Sequence, residues 1–316
     1  MAPLSPASAK AIDRLRGYVP PPTSYTSVPL SRQAAVLILL FADRRGDLRV
    51  VLTLRSNTLK SYPGQSALPG GKADSVSETA FDTARREAHE EIGLPNKDSE
   101  LPRPFRVEHL CELPANLART ELVVRPCVAL LHAYDEATGK SADPEVSLIP
   151  RLDAKEVAAV FTAPFHNFLM EKDEPLGESD GELPGKPSDW YEGTWTEWHQ
   201  SMWRMHHFFV PITNQTVSKP KHKNNPEQES TVDRLQEEES SGDLKRYRVF
   251  GMTARILVDA ARVAYGQEPD FEHNSHFGDE DMIQRLKAIG RLSPIRKSGD
   301  QLTADVMQKA ASTNKL

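Results

Sequence analysis

Leu68 to Leu94 reads LPGGKADSVSETAFDTARREAHEEIGL. Pro69-Gly70-Gly71 is a turn signal, Ser75 followed three residues later by Glu78 fits a capping box, and Gly93 fits the stop of a helix. The stretch therefore predicts a strand, a loop and a helix. On a helix turning about 100° per residue, Phe81, Ala84, Ala88 and Ile92 share an apolar stripe, while Glu87, Glu90 and Glu91 gather on another face. Like charges at that spacing repel by about a few tenths of a kcal/mol per pair. Three glutamates gathered there are unfavourable unless a cation sits between them. A hard divalent ion takes oxygen ligands, typically one or two carboxylates plus substrate phosphates, and Arg86 is placed to hold one carboxylate through a planar fork. The competing reading of an isolated EAHEE run is a solvated acidic face.

The surroundings favour the metal site. Gly71-x6-Glu78-x7-Arg86-Glu87-Ala88-x-Glu90-Glu91-x-Gly93-Leu94 resembles the signature of the Nudix hydrolases, Gly-x5-Glu-x7-Arg-Glu-U-x-Glu-Glu-x-Gly-U with U aliphatic. Every position keeps its relative spacing except the first Gly, which is displaced by one residue. The resemblance implies an α/β Nudix fold, a mixed β-sheet sandwiched between helices. It implies Glu87, Glu90 and Glu91 as ligands of Mg2+ or Mn2+, one of them also serving proton transfer, with Arg86 orienting them and Glu78 structural.

Immediately upstream, VLTLRSNTLKSYPGQSALPGG from Val51 is similar to a motif of the coenzyme A diphosphatase branch of that family, Leu-Leu-Thr-x-Arg-Ser-x3-Arg-x3-Gly-x3-Phe-Pro-Gly-Gly. Leu52, Thr53, Arg55, Ser56, Gly64, Pro69, Gly70 and Gly71 match; Val51, Lys60 and Leu68 depart. Lysine at 60 offers a point charge where the branch has a planar fork. The resemblance implies that Arg55, Ser56, Lys60, Gly64, Gly70 and Gly71 bind substrate, with Arg55 and Lys60 near a 3'-phosphate or the diphosphate. The bland alternative for Arg55, Lys60, Gly64 and Gln65 is an ordinary surface loop. A long connection without regular structure is more often functional in a compact domain.

Size and composition bound the rest. The chain has 316 residues, 27% charged and 38% hydrophobic, with a formal net charge of -6. That hydrophobic fraction is low for a wholly globular chain and predicts ordered and disordered segments together. Mild acidity argues against non-specific nucleic-acid binding, which relies on Lys and Arg. The apolar run from Ala34 to Ala42 falls well short of the ~20 residues a membrane span requires. No secretory h-region opens the chain, and Cys111 and Cys127, both in strand-like sequence, are expected as buried thiols. A soluble, intracellular protein is the expectation.

Along the chain, Ser8 to Gly17 is helix-like within an extension of residues 1–30. Ala34 to Phe41 and Arg49 to Arg55 form a hairpin turned at Arg44-Arg45-Gly46-Asp47. Phe105 to Leu113 and Leu122 to Ala133 are strands. Glu156, in a Glu-Val-x-x-Val-Phe context, is the candidate for a further acid that completes the metal site or acts as base in relatives; a solvated glutamate opening a helix is its alternative. Trp190, Trp195, Trp198 and Trp203 pack a peripheral layer or form a platform for a ligand's adenine. His206 and His207 point to opposite faces of a strand and do not share an ion. Residues 214–246 contain few apolar side chains and are expected as a disordered insertion, after which a short strand, a break at Gly251 and a helix from Thr253 to Ala264 resume the domain. A polar tail from 268 to 316 carries a short helix at Asp279 to Ile289. One Nudix domain, 31–267, results.

The resemblance implies a metal-dependent diphosphatase that cleaves coenzyme A or its derivatives to 3',5'-ADP and 4'-phosphopantetheine. Two alternatives stand beside it: an oxidised nucleotide such as 8-oxo-dGTP as substrate, or a Nudix-fold nucleotide-binding module without hydrolysis. Asn314-Lys315-Leu316 differs from the peroxisomal Ser-Lys-Leu address in its first residue, so a peroxisomal import receptor is an expected partner.

Overall fold

The computed structural model describes residues 4–55, 65–135, 137–148, 157–174, 184–198, 201–212, 217–220, 226–240, 245–295 and 302–312. Helix α1 (Pro6–Arg16) precedes the hairpin of β1 (Gln33–Ala42) and β2 (Leu48–Arg55). Short strands β3 (Ser66–Ala67) and β4 (Gly70–Lys72) lead into helix α2 (Ala80–Ile92). Then come β5 (Arg106–Glu112), β6 (Asn116–Leu117), β7 (Val123–His132), the small β8 (Tyr134–Asp135) and β9 (Lys140–Ser141), and one turn of helix, α3 (Pro144–Ser147). The second half holds β10 (Val157–Pro164), β11 (Tyr191–Trp198), β12 (Ser201–Pro211), α4 (Pro226–Ser240), β13 (Arg246–Phe250), α5 (Gly251–Tyr265), α6 (Glu280–Ala288) and α7 (Ala304–Ala311).

The main sheet runs β10-β2-β1-β7-β5, with β3 on β2, β4 on β1 and β6 on β7. It is mixed: β1 is parallel to β7 and antiparallel to β2 and β4. Strand β1 reads as unbroken aliphatic sequence because both its faces are covered. Leu37, Leu39 and Phe41 point into the layer that holds α2, α6 and α7, whereas Ile38 and Leu40 point into the layer of α1, α4, α5 and the small sheet β11-β12-β13. The expected sandwich is what forms.

Helix α2 buries its apolar stripe as the spacing requires. Ala84, Ala88 and Ile92 are fully buried, and Ile92 alone is worth about 1.5–3 kcal/mol. The helix stops at Gly93, which takes the left-handed conformation (φ 70) that glycine tolerates best. Its start differs from expectation. Thr79 is the N-cap, accepting from the Asp82 N–H while the Asp82 side chain accepts from the Thr79 N–H. Ser75 and Glu78 lie before the helix, and Glu78 accepts from the Asp74 N–H and the Thr83 hydroxyl instead.

Two further expectations need correction. Pro226–Ser240, inside the segment expected to lack order, is helical. Thr231, Val232 and Leu235 are buried, and α4 lies against β10, so a single narrow stripe suffices to dock it. The tail is likewise packed: Ile283, Leu286, Leu302, Met307 and Ala310 enter the α2-side core. Asp279 and Glu280 tie it down. Glu280 accepts from the Thr23 hydroxyl and from the Ser24 and Ala115 N–H groups, and Asp279 accepts from the Leu117 N–H and from Arg255. A buried pair, Arg32 with Glu121 at 3.0 Å, also joined by Arg291, closes the same edge.

Both cysteines are free and buried. Among the described residues no helix is long and apolar enough to cross a membrane. The Asn314-Lys315-Leu316 terminus lies outside the described residues.

The N-terminal helix is latched to β5 by Arg16, whose Nε donates to Glu108 at 2.8 Å; His132 Nε2 lies 2.6 Å from the same carboxylate. The Arg16 guanidinium holds Glu108 down at about 2. Burial pushes His132 below its ordinary value, so the imidazole is neutral at pH 7 and Arg16 supplies the charge. A carboxylate depressed on folding stabilises above its unfolded pKa, about 4.3, and that stability is lost as pH falls toward the folded value. In urea titrations, Glu108→Gln should be less stable than the parent at pH 7, with the gap closing as pH falls from about 4.3 to 2. The gap should be modest, because Arg16 is 46% exposed. A gap that persists unchanged at pH 2 would refute the latch.

Candidate active site

Strand β4 brings the glycine turn against β1, with Ala35 opposite Gly71 and Val36 opposite Gly70. The approach is closer than any side chain permits: a Cβ on Gly70 would lie 2.3 Å from the Ala35 carbonyl oxygen. On Gly71 it would lie 2.4 Å from the Glu87 carboxyl carbon. Helix α2 therefore lays Glu87 directly over Gly71. One turn on, Glu91 Oε2 accepts from the Gly70 N–H at 3.1 Å.

Arg86 joins the remaining parts. Its Nε donates to Glu78 Oε1 at 2.8 Å, and its Nη2 donates to the Lys72 carbonyl at 2.7 Å. Its Nη1 donates to Glu87 Oε1 at 3.1 Å and to Glu90 Oε2 at 3.2 Å, with Asp74 3.5 Å away. One guanidinium thus spans the loop before the helix and two of the three clustered carboxylates. Lys72 and Asp74 escaped the sequence reading: a backbone carbonyl leaves no trace in residue identity, and Asp74 is an ordinary loop residue until Arg86 reaches it.

Charge and burial act on these groups in opposite senses. The Arg86 hydrogen bond holds Glu78 below the usual carboxylate range. Glu87 is shifted upward, because burial outweighs the nearby guanidinium. A half-buried carboxylate with a raised pKa gains most from an added cation.

The donor set suits a hard divalent ion: Glu87, Glu90 and Glu91 offer only oxygens, and none competes with a softer nitrogen or sulfur ligand. Among the described residues no three such side chains are already gathered about one point; Arg86 and the Gly70 N–H engage them.

The other expected residues are distributed as follows. Arg55 ends β2, half-buried, and its N–H donates to the Gln65 carbonyl at 2.9 Å, so both ends of the intervening loop are fixed side by side. Ser56, Lys60 and Gly64 lie outside the described residues, as does Glu156. Val157, which follows Glu156, opens strand β10 rather than a helix.

The tryptophans do not make one platform. Trp190 is wholly buried, its indole N–H donating to the Asn167 carbonyl. Trp203 lies 4.1 Å from the Arg255 guanidinium, and Trp195 is 42% exposed. The side chain of Trp198 lies outside the described residues. His206 is buried and His207 half-buried on opposite faces, as alternation requires.

The two glycines make separable predictions. Gly70→Ala collides with backbone and should lower stability by about 1–3 kcal/mol or more, read as a fall in melting temperature. Gly71→Ala meets the movable end of Glu87 and should fold with a smaller loss, yet show a weaker Mg2+-induced rise in melting temperature. Equal Mg2+ responses in Gly71→Ala and parent would contradict the placement of Glu87 at the ion.

Comparison with known proteins identifies the family. The NUDIX domain family matches residues 31–177. A peroxisomal coenzyme A diphosphatase of Saccharomyces cerevisiae is 32% identical over 301 residues, covering 90% of this chain and 85% of that protein. The chloroplastic Nudix hydrolase 22 of Arabidopsis thaliana is 31% identical over 84% of this chain and 66% of its own length. A peroxisomal coenzyme A diphosphatase of Mus musculus is 35% identical over 44% of this chain and 50% of its own length. With the box helix, the glycine strand and the sandwich all in place, the chain belongs to the Nudix hydrolases and is a diphosphate-hydrolysing enzyme.

Proposed function

We propose that this enzyme hydrolyses the diphosphate of coenzyme A and its acyl derivatives, giving 3',5'-ADP and 4'-phosphopantetheine or its acyl form. The observation that carries this reading is the similarity to the yeast coenzyme A diphosphatase, which runs through 90% of the chain, beyond the Nudix match into the C-terminal half. The matched motif around Arg55 supports it. The same similarity, with the near-match of Asn314-Lys315-Leu316 to a peroxisomal address, supports a peroxisomal location and an import receptor as partner.

The chemistry requires a nucleophile to approach a diphosphate whose oxygens already carry negative charge. Bound Mg2+ or Mn2+ would neutralise those oxygens and lower the pKa of a bound water. Glu87, Glu90 and Glu91 would hold the ions. Arg86 fixes the orientation of the Glu87 and Glu90 carboxylates and, through the Lys72 carbonyl, keeps the glycine strand in register with the helix. Arg55, at the start of the loop, would meet the 3'-phosphate or the diphosphate with its charge. Glu156 or one of the box glutamates removes the proton from the attacking water, a role worth typically about 10²- to 10⁴-fold.

Incubation with Mg2+ and a panel of coenzyme A, acyl-coenzyme A, NADH, ADP-ribose and 8-oxo-dGTP, with products identified by mass spectrometry, tests the reading. Coenzyme A or its acyl forms should be cleaved with the highest kcat/KM. Preferential cleavage of 8-oxo-dGTP, or no cleavage of any member, would reject it. Changing Glu90 and Glu91 together to Gln should lower kcat by at least about 10²-fold and abolish the Mg2+-induced rise in melting temperature.

A further inference from the structure

Helix α2 carries a hydroxyl on its buried side. Thr83 is wholly buried, as are the alanines of the same helix at 84 and 88. Burying a hydroxyl costs free energy unless it is hydrogen-bonded, so packing alone would be served as well by a valine. A threonine inside a helix often turns its hydroxyl back to the carbonyl four residues earlier. Thr83 instead donates to Oε2 of Glu78 at 3.1 Å, out of the helix and past its N-cap, Thr79.

Glu78 stands in the loop between β4 and α2, where no regular element restrains it. Three donors hold its carboxylate. Oε2 accepts from the Asp74 N–H at 3.0 Å and from Thr83, while Oε1 accepts from Arg86 Nε at 2.8 Å. The Asp74 N–H belongs to the same loop and moves with it. Thr83 is therefore the group that sets Glu78 in the frame of the helix before Arg86 engages it.

Arg86 takes its direction from Glu78. With Nε held, Nη1 lies across Glu87 Oε1 and Glu90 Oε2, at 3.1 and 3.2 Å. The other acids nearby are placed differently: Asp82 closes the helix cap with Thr79, and the Asp74 side chain is 71% exposed and 3.5 Å from Nη1. Thr83 also lies one turn before Glu87 on the same side of the helix, so the hydroxyl and the carboxylate it serves at second hand share one rigid element.

We propose that Thr83 is a positioning residue of the active site, whose hydroxyl orients Glu78, and through Glu78 and Arg86 the carboxylates of Glu87 and Glu90 that receive a divalent ion. Thr83 itself touches neither ion nor substrate. The inference rests on the reading of Glu87, Glu90 and Glu91 as the residues that hold the ion, whichever diphosphate is cleaved.

Titration of the metal-free, full-length protein with Mn2+, free Mn2+ being followed by electron paramagnetic resonance, tests it without turnover. Thr83→Val keeps the shape and removes the donor; it should bind Mn2+ about tenfold more weakly, the lower end of what losing a partner of metal ligands costs. Thr83→Ser keeps the donor and loses a buried methyl, so it should melt below the parent yet bind Mn2+ as the parent does. In a Glu78→Ala background, Thr83→Val should cost nothing further, because the hydroxyl acts through that carboxylate. A Thr83→Val protein that binds Mn2+ as tightly as the parent overturns the inference. So does a Thr83→Ser protein as weak as Thr83→Val, or a further loss in the Glu78→Ala background. A parent that binds no Mn2+ overturns the metal reading of the three glutamates, and this inference with it.

Discussion

Holding like charges together is the constraint on which the site depends. Glu87, Glu90 and Glu91 occupy less than two turns of one helix, and their mutual repulsion amounts to about a few tenths of a kcal/mol per neighbouring pair. A hydrogen bond to a charged partner contributes about 1.5–3 kcal/mol. Arg86 makes three such bonds to carboxylates, Glu78, Glu87 and Glu90, and one to the Lys72 carbonyl. The attraction outweighs the repulsion even after discounting Glu90, which is 46% exposed. The carboxylates can therefore be held side by side without a cation, although not yet gathered about one point, and a cation would relieve what repulsion remains.

That arrangement works only because the strand beneath it has no side chains. Gly70 lets β4 lie against β1 where a Cβ would strike the Ala35 carbonyl, and Gly71 leaves room for the Glu87 carboxylate. Gly70 contributes again through its N–H, which holds Glu91. Strand β1 is in turn held rigid by apolar layers on both faces. Rigidity in the sheet thus fixes where Glu87 and Glu91 stand relative to the glycine strand.

The box helix was legible because its two periodicities are strong: Ala84, Ala88 and Ile92 at one face, three glutamates at another, and a glycine at the stop. Its start is ambiguous in sequence because Ser75-x-x-Glu78 and Thr79-x-x-Asp82 both satisfy the capping pattern, and only the demand of Arg86 for Glu78 decides between them. Strand β1 and helix α5 were legible from unbroken apolar runs. Helix α4 was not, since Val232 and Leu235 are too few to raise the composition of a polar segment, yet they sit on one face and β10 offers a surface to receive them. The tail reads as polar because its anchors are polar. Asp279 and Glu280 act through backbone N–H groups of Ser24, Ala115 and Leu117, partners that no sequence pattern reveals.

The same blindness applies to the arginines that tie distant segments together. Arg16 pairs with Glu108, Arg32 with Glu121, Arg246 with Asp173 and Arg255 with Asp279, each joining segments that lie apart in the sequence. Arg85 is buried without such a partner among the described residues and donates instead to the Pro95 carbonyl just beyond the helix, so there the backbone takes the guanidinium that a carboxylate takes elsewhere.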